Sequence, residues 1–161
     1  MTEKYLIRKK EIEANAGLDK THFMNPNAQR NNKSLGDMTG LSALGVHLIE
    51  IKPGFESTEL HVHYHEEECV YVLQGSGEAV IGDDVFEVKP GDFIGYRAGG
   101  KAHALKNTGE DDLRCLVVVQ RLAHDAADYP KLGKRLFRNV GMPWNMVDVA
   151  NISEPVAGKK K

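Results

Sequence analysis

The chain has 161 residues, 41% of them hydrophobic and 27% charged, which suits one domain with a real core. Lysine and arginine number 21 against 23 aspartates and glutamates, a net charge of −2 with histidine neutral. That balance excludes the basic footprint of a nucleic-acid binder and a polybasic membrane face. The chain opens on "MTEKYLIRKKEIEA", charged throughout and without the apolar centre of a signal peptide, so a cytoplasmic protein is expected. A short helix fits between Glu3 and Ala14, followed by irregular chain through "HFMNPNAQRNNKSLGDMTG". Residues 1–40 are therefore taken as an N-terminal extension.

From Leu44 to Gln120 the character changes. Segments such as "LGVHLIEIKPG", "ECVYVLQGSG", "EAVIGDD", "VFEVKPGD" and "LRCLVVVQR" are short, rich in β-branched residues and punctuated by Gly, Pro and Asp. That rhythm predicts antiparallel strands in a sandwich or barrel over 41–121, an all-β domain without βαβ units. "IGDDVF" has the composition of a tight hairpin, and "KPGDF" breaks a strand. The longest apolar run late in the barrel, Cys115–Val119, is far too short to span a bilayer. After Arg121 the chain turns irregular again, so 122–161 is taken as a C-terminal extension ending in a solubilising Lys159–Lys161 tail. Trp144 and Tyr129 pack that extension onto the barrel or edge a pocket.

The stretch "ELHVHYHEEEC" carries three of the seven histidines on alternate positions. Side chains two apart on a strand face the same way, so His61 and His63 project together. Glu68 lies five residues beyond His63 and reaches the same side only if a turn through Tyr64–Glu67 folds it back. Imidazole is the commonest protein metal ligand, and a carboxylate compensates cation charge. A fourth ligand has to come from elsewhere, and His103 in "GGKAHALKN" leads the candidates. The other reading is a solvated polar run, with His65, Glu66 and Glu67 on an exposed turn. "HEEEC" is not a zincin helix, because Cys69 stands where the second histidine belongs. "GSGEAV" lacks the third glycine of a dinucleotide fingerprint, and Gly75 and Gly77 read as a turn between strands. Cys69 and Cys115 are thiols packed in the core, and His22, His47 and His124 have no partners at ligand spacing.

The arrangement resembles the two motifs of the cupin superfamily. Gly54, six residues, His61-Val62-His63, four residues, Glu68, six residues and Gly75 match the first. Gly91, five residues, Arg97-Ala98-Gly99, three residues, His103, three residues and Asn107 match the second. There is one extra residue before His61 and one before His103, and Arg97 stands where the family has proline. The resemblance implies a double-stranded β-helix (jelly-roll) barrel of six to eight strands with irregular or short helical extensions at both ends. It also implies one divalent metal held by His61, His63, Glu68 and His103. The alternative register His63, His65, Glu68 leaves too few residues before the glutamate. Such a site accepts Fe, Mn, Ni, Co, Cu or Zn and leaves two octahedral positions for water, substrate or dioxygen. The function implied is a metal-dependent enzyme of dioxygenase, isomerase or lyase type acting on a small organic molecule. The alternative is a non-catalytic cupin that binds or senses a small ligand. Tyr71, Tyr96 and Arg97 are candidate assisting groups, and the 128–134 segment lines either the pocket or a dimer interface. A homodimer is expected, since the edge strands of a small sandwich need covering.

Overall fold

The computed structural model describes residues 4–158. Its strands in chain order are β1 Leu18–His22, β2 Asn25–Ser34, β3 Leu44–Ile51, β4 Val62–His63, β5 Glu68–Gln74, β6 Gly77–Ile81 and β7 Asp84–Val88. They continue with β8 Phe93–Tyr96, β9 His103–Lys106, β10 Leu113–Gln120, β11 His124–Tyr129, β12 Lys134–Asn139 and β13 Asn145–Asp148. Two short helices, α1 Lys9–Ala14 and α2 Leu35–Met38, complete the regular structure used below. The strands form three antiparallel sheets: β1-β2-β3-β10-β5-β8, β13-β12-β11-β4 and β7-β6-β9. The double-stranded β-helix is the fold the motifs implied. Among the described residues no helix is long and apolar enough to cross a membrane.

Alternation explains the central strands. Along β10 the buried positions Leu113, Cys115 and Val117 are two apart, so one face of the strand meets the core. Ile49 and Ile51 of β3 and Val70 and Val72 of β5 join them. Ala79, Val88 and Leu105 close the same cluster from the three-stranded sheet. Each fully buried Val, Leu or Ile contributes on the order of 1.5–3 kcal/mol. The β6–β7 hairpin turns on Gly82 and Asp83, with Ile81 paired to Asp84. Gly82 takes a φ of +64°, as the first central position of a two-residue II′ turn requires.

The extensions depart from expectation. The helix falls where it was placed, at Lys9–Ala14; Glu3 and the Lys159–Lys161 tail lie outside the described residues. The chain after it is stranded, not irregular. β1 and β2 form a hairpin, and β2 adds to β3 with Asn32 opposite Ile49 and Ser34 opposite His47. No apolar alternation announced this, because the two buried positions of β2 are Ala28 and Asn32, four apart. The segment after Arg121 supplies β11–β13. In β11 the buried side chains Asp125, Ala127 and Tyr129 alternate properly, but one is charged, which hides the pattern.

Candidate metal centre

Four short pieces of backbone bring the polar cluster together. His61 and His103 form an antiparallel bridge, each accepting the other's N–H, at 3.2 Å and 2.8 Å. His63 is held by the pairing of β4 with β11, opposite Ala127. The chain then turns through Tyr64–Glu67, and Glu68 opens β5 between Tyr96 of β8 and Val119 of β10. The ligand atoms of His61, His63 and Glu68 all lie within 4.8 Å of one another. The Nε2 atoms of His61 and His63 are 3.1 Å apart. His103 stands outside that group of three, with its ring centroid 4.8 Å from that of His61. Its ring lies flat on Tyr96 at 3.6 Å, and its Nε2 is buried without a hydrogen-bond partner.

The other ring nitrogen of each histidine is occupied. His61 Nδ1 lies 2.9 Å from the carbonyl of Glu59, and His103 Nδ1 lies 3.3 Å from that of Lys101. His63 Nδ1 lies 2.6 Å from Asp125 Oδ2. An acceptor at Nδ1 places the proton there and leaves the Nε2 lone pair free, the arrangement of metal-binding histidines. Burial, then the charges of His103 and His63, hold His61 well below the ordinary histidine range. Burial takes His103 down to about 4. Both are neutral at pH 7, with lone pairs to donate. Burial raises the Glu68 carboxyl, against the opposing pull of His63 and Arg30. Part of Glu68 is solvent-accessible, and the residue lines a cavity of about 380 Å³ together with all three histidines. The donor set, with the partnerless Nε2 of His103, fits a divalent ion.

One expectation is reversed. Glu66 is no solvated charge: it is 2% exposed. Its carboxylate accepts from the Leu122 N–H at 2.8 Å and from the Arg138 guanidinium. Asp125, 3% exposed, accepts from Arg138 at 3.2 Å and from the His65 N–H at 3.1 Å. Burial alone would raise the Asp125 carboxyl, but the His63 hydrogen bond, the His65 N–H and Arg138 together lower it to about 2. A hydrogen-bonded chain Arg138–Asp125–His63 therefore runs behind the cluster. Sequence reasoning missed Asp125, Glu66 and Arg138. Three adjacent glutamates look alike on paper, and the partner that sorts them lies on β12.

The remaining candidates separate cleanly. His65 and Glu67 are exposed, so the register through His65 is not the one that converges. Tyr96 lines the cavity; Tyr71 points outward, and Arg97 is exposed beside Cys69 on a separate hollow. Cys69 is thus only partly buried, whereas burial pushes the Cys115 thiol up to about 12. Trp144 lines the cavity, and the buried Tyr129 ring lies 6.1 Å from His61. His47 also lines the cavity, close to Asn32. His22 packs on Phe23, and His124 is exposed.

A β-helix with this cluster lining its cavity defines a small cupin. The family model for the cupin domain matches residues 47–119. A crystal structure from Acidithiobacillus ferrooxidans, provisionally described as a sugar phosphate isomerase, is 49% identical over 97% of this chain and 99% of that one, with a TM-score of 0.92. The chain belongs to the cupin superfamily. A sugar phosphate isomerase of the same superfamily from Silicibacter pomeroyi is 25% identical over 88% of this chain and 91% of that one, with a TM-score of 0.77. An oxalate-binding protein of Thermotoga maritima is 34% identical over 71 residues, 44% of this chain and 57% of that protein. The matches span little more than half the length of the curated relatives.

Proposed function

We propose that the protein is a metal-dependent isomerase of a small hydroxy-carbonyl compound of the sugar phosphate kind. His61, His63, Glu68 and His103 hold the ion. The observation that carries this reading is the set of three imidazoles, each with Nδ1 engaged, the Nε2 atoms of His61 and His63 facing each other at 3.1 Å and that of His103 without a partner, beside one carboxylate in one cavity. Likeness over nearly the whole chain to a protein described as a sugar phosphate isomerase supports the substrate class. Isomerisation moves hydrogen between adjacent carbons and needs no external oxidant. A divalent ion supplies Lewis acidity toward substrate oxygens. The chain's own residues do the rest. Backbone carbonyls of Glu59 and Lys101 and the carboxylate of Asp125 keep the rings oriented. The Tyr96 hydroxyl is buried without a partner, and burial raises it above the ordinary tyrosine range. It keeps its proton and is free to donate to a substrate oxygen.

A second reading, binding without turnover, is supported by the likeness to the oxalate-binding protein. The two separate in one experiment. Protein loaded in turn with Fe, Mn, Ni, Co, Cu and Zn is incubated in deuterated water with a panel of aldose and ketose phosphates. Isomerisation gives interconversion and solvent deuterium at the carbon next to the carbonyl. Tight oxalate binding with no interconversion for any ion replaces the first reading with the second.

A further inference from the structure

The N-terminal hairpin puts into the cavity two cations that form no ion pair among the described residues. Lys20 of β1 and Arg30 of β2 are directly opposite each other in the ladder. Like charges in that position are destabilising. Both side chains line the cavity of the imidazole cluster. Among the described residues neither has a carboxylate at ion-pair distance, and the hydrogen bond Arg30 makes is to the carbonyl of Ser57. Arg121, just past the end of β10, lines the same cavity, as does His47 of β3. The acid within reach is Asp37, which takes Arg121 Nη1 at 2.6 Å and the Ser34 hydroxyl at 2.6 Å. Glu66 and Arg138 also face the cavity but are committed to each other, and Glu68 acts on Arg30 only at longer range.

Within this group three cations stand against the one carboxylate in contact, Asp37, a local surplus of two positive charges that Glu68 offsets only from a distance. A guanidinium withdrawn from water without a counter-ion is costly. The mutual repulsion is visible in the group. Burial first and Arg30 second depress Lys20, and burial, Arg121, Lys20 and Arg30 depress His47. Space is kept as well: a Cβ on Gly45 would stand 2.8 Å from His47 Nε2 and 3.2 Å from Arg121 Nε.

We propose that Arg30, Lys20 and Arg121 form an oxyanion subsite for a phosphate monoester, in the same cavity as His61, His63 and Glu68 but independent of any ion they hold. A dianion matches the surplus charge, and guanidinium forks present paired N–H donors to phosphate oxygens. Asn32 and Ser34, on the cavity wall, add neutral hydrogen-bonding groups. The inference rests on the isomerase reading for its substrate, whose phosphate would sit here, but its test needs no turnover.

The test is titration of inorganic phosphate, with acetate as the carboxylate arm, into chelator-treated and metal-loaded protein by calorimetry. Phosphate is expected to bind both forms alike and at least tenfold more tightly than acetate. Arg30→Met should weaken it at least tenfold. Because Arg30→Met could disturb the hairpin, Lys20→Met, at an exposed position, provides an independent check, with at least a threefold loss expected at unchanged melting temperature. Phosphate binding that disappears on chelation and ignores Lys20→Met would overturn the proposal, as would acetate binding as tightly as phosphate, or no binding by either form. Metal-free binding with no turnover of sugar phosphates by the loaded protein would sustain the subsite while removing the isomerase reading.

Discussion

The side chains lining the cavity fall into two groups built on opposite plans, the imidazole cluster and the cations around the N-terminal hairpin. In the cluster every imidazole is anchored through Nδ1 and every carboxylate behind it is paired. Among the groups left without partners are the lone pair of His103 Nε2 and the Tyr96 hydroxyl. Around the hairpin the unpartnered groups are cations, Lys20 and Arg30 above all. One group is arranged to receive positive charge and the other negative charge. A substrate that carries an oxygen donor at one terminus and an anion at the other would be oriented by electrostatics before any contact becomes intimate. Each group should respond to its own perturbations and ignore those made at the other.

The largest break comes from removing two rings at once. His61→Ala/His103→Ala should abolish metal retention in elemental analysis. On the isomerase reading it should cut turnover by about 10³-fold or more, since Lewis-acid stabilisation supplies several kcal/mol and each 1.36 kcal/mol is tenfold. Phosphate affinity should stay within about twofold of wild type, because no cation of the hairpin group is touched. Full metal retention by this variant would place the ion elsewhere. Chelation follows in size. An ion bound only by the native state, present at a few hundred times its dissociation constant, stabilises by about 3 kcal/mol. Its removal should lower the melting temperature by roughly 6–12 °C for a chain of this length. A melting curve that ignores the chelator, in protein shown to contain no metal, would speak against the cluster as a metal site. Smaller again is Asp125→Asn, which keeps an acceptor near His63 Nδ1 but removes the charge that Arg138 and His63 share. Loss of such a supporting carboxylate costs roughly 10–100-fold in metal affinity. A competition titration showing no change would mean that the 2.6 Å contact does not tune His63.

How much of this could be read in advance depends on the range of the signal. Val70, Val72, Leu113 and Cys115 announce strands because alternation is local, and the Gly82–Asp83 turn announces itself for the same reason. His61 and His63 share a side by the same period of two, and the motif spacing pointed to Glu68 and His103 across intervening strands. The hairpin group was not legible. Its strands carry Asn, Gln, Lys and Arg with little apolar alternation, so they read as irregular chain. The feature that carries the proposed subsite is a cross-strand pairing, Lys20 with Arg30, that exists only after folding. Glu66 failed for a related reason: a glutamate among glutamates is sorted by its partner Arg138, and pairing between distant strands leaves no periodic trace.

The gentlest perturbation isolates the hairpin group. Gly45 lies in β3 with an ordinary strand conformation, so alanine is allowed there and should gain roughly 0.4–1 kcal/mol by restricting the unfolded chain. Against this, the new methyl group would crowd Val119 Cγ1 at 2.9 Å, as well as the His47 ring and the Arg121 guanidinium. Overpacking of this kind costs about 1–3 kcal/mol, toward the low end where the crowded atoms are the ends of side chains that can swing away. The two effects nearly cancel, and Gly45→Ala should melt within a few degrees of wild type. What cannot cancel is the displacement of Arg121 and His47. Phosphate affinity should fall a few-fold while metal content stays unchanged, as measured by calorimetry and elemental analysis on one preparation. If metal content fell in parallel, the groups would be coupled through β3 and β10, and the division between them would have to be abandoned.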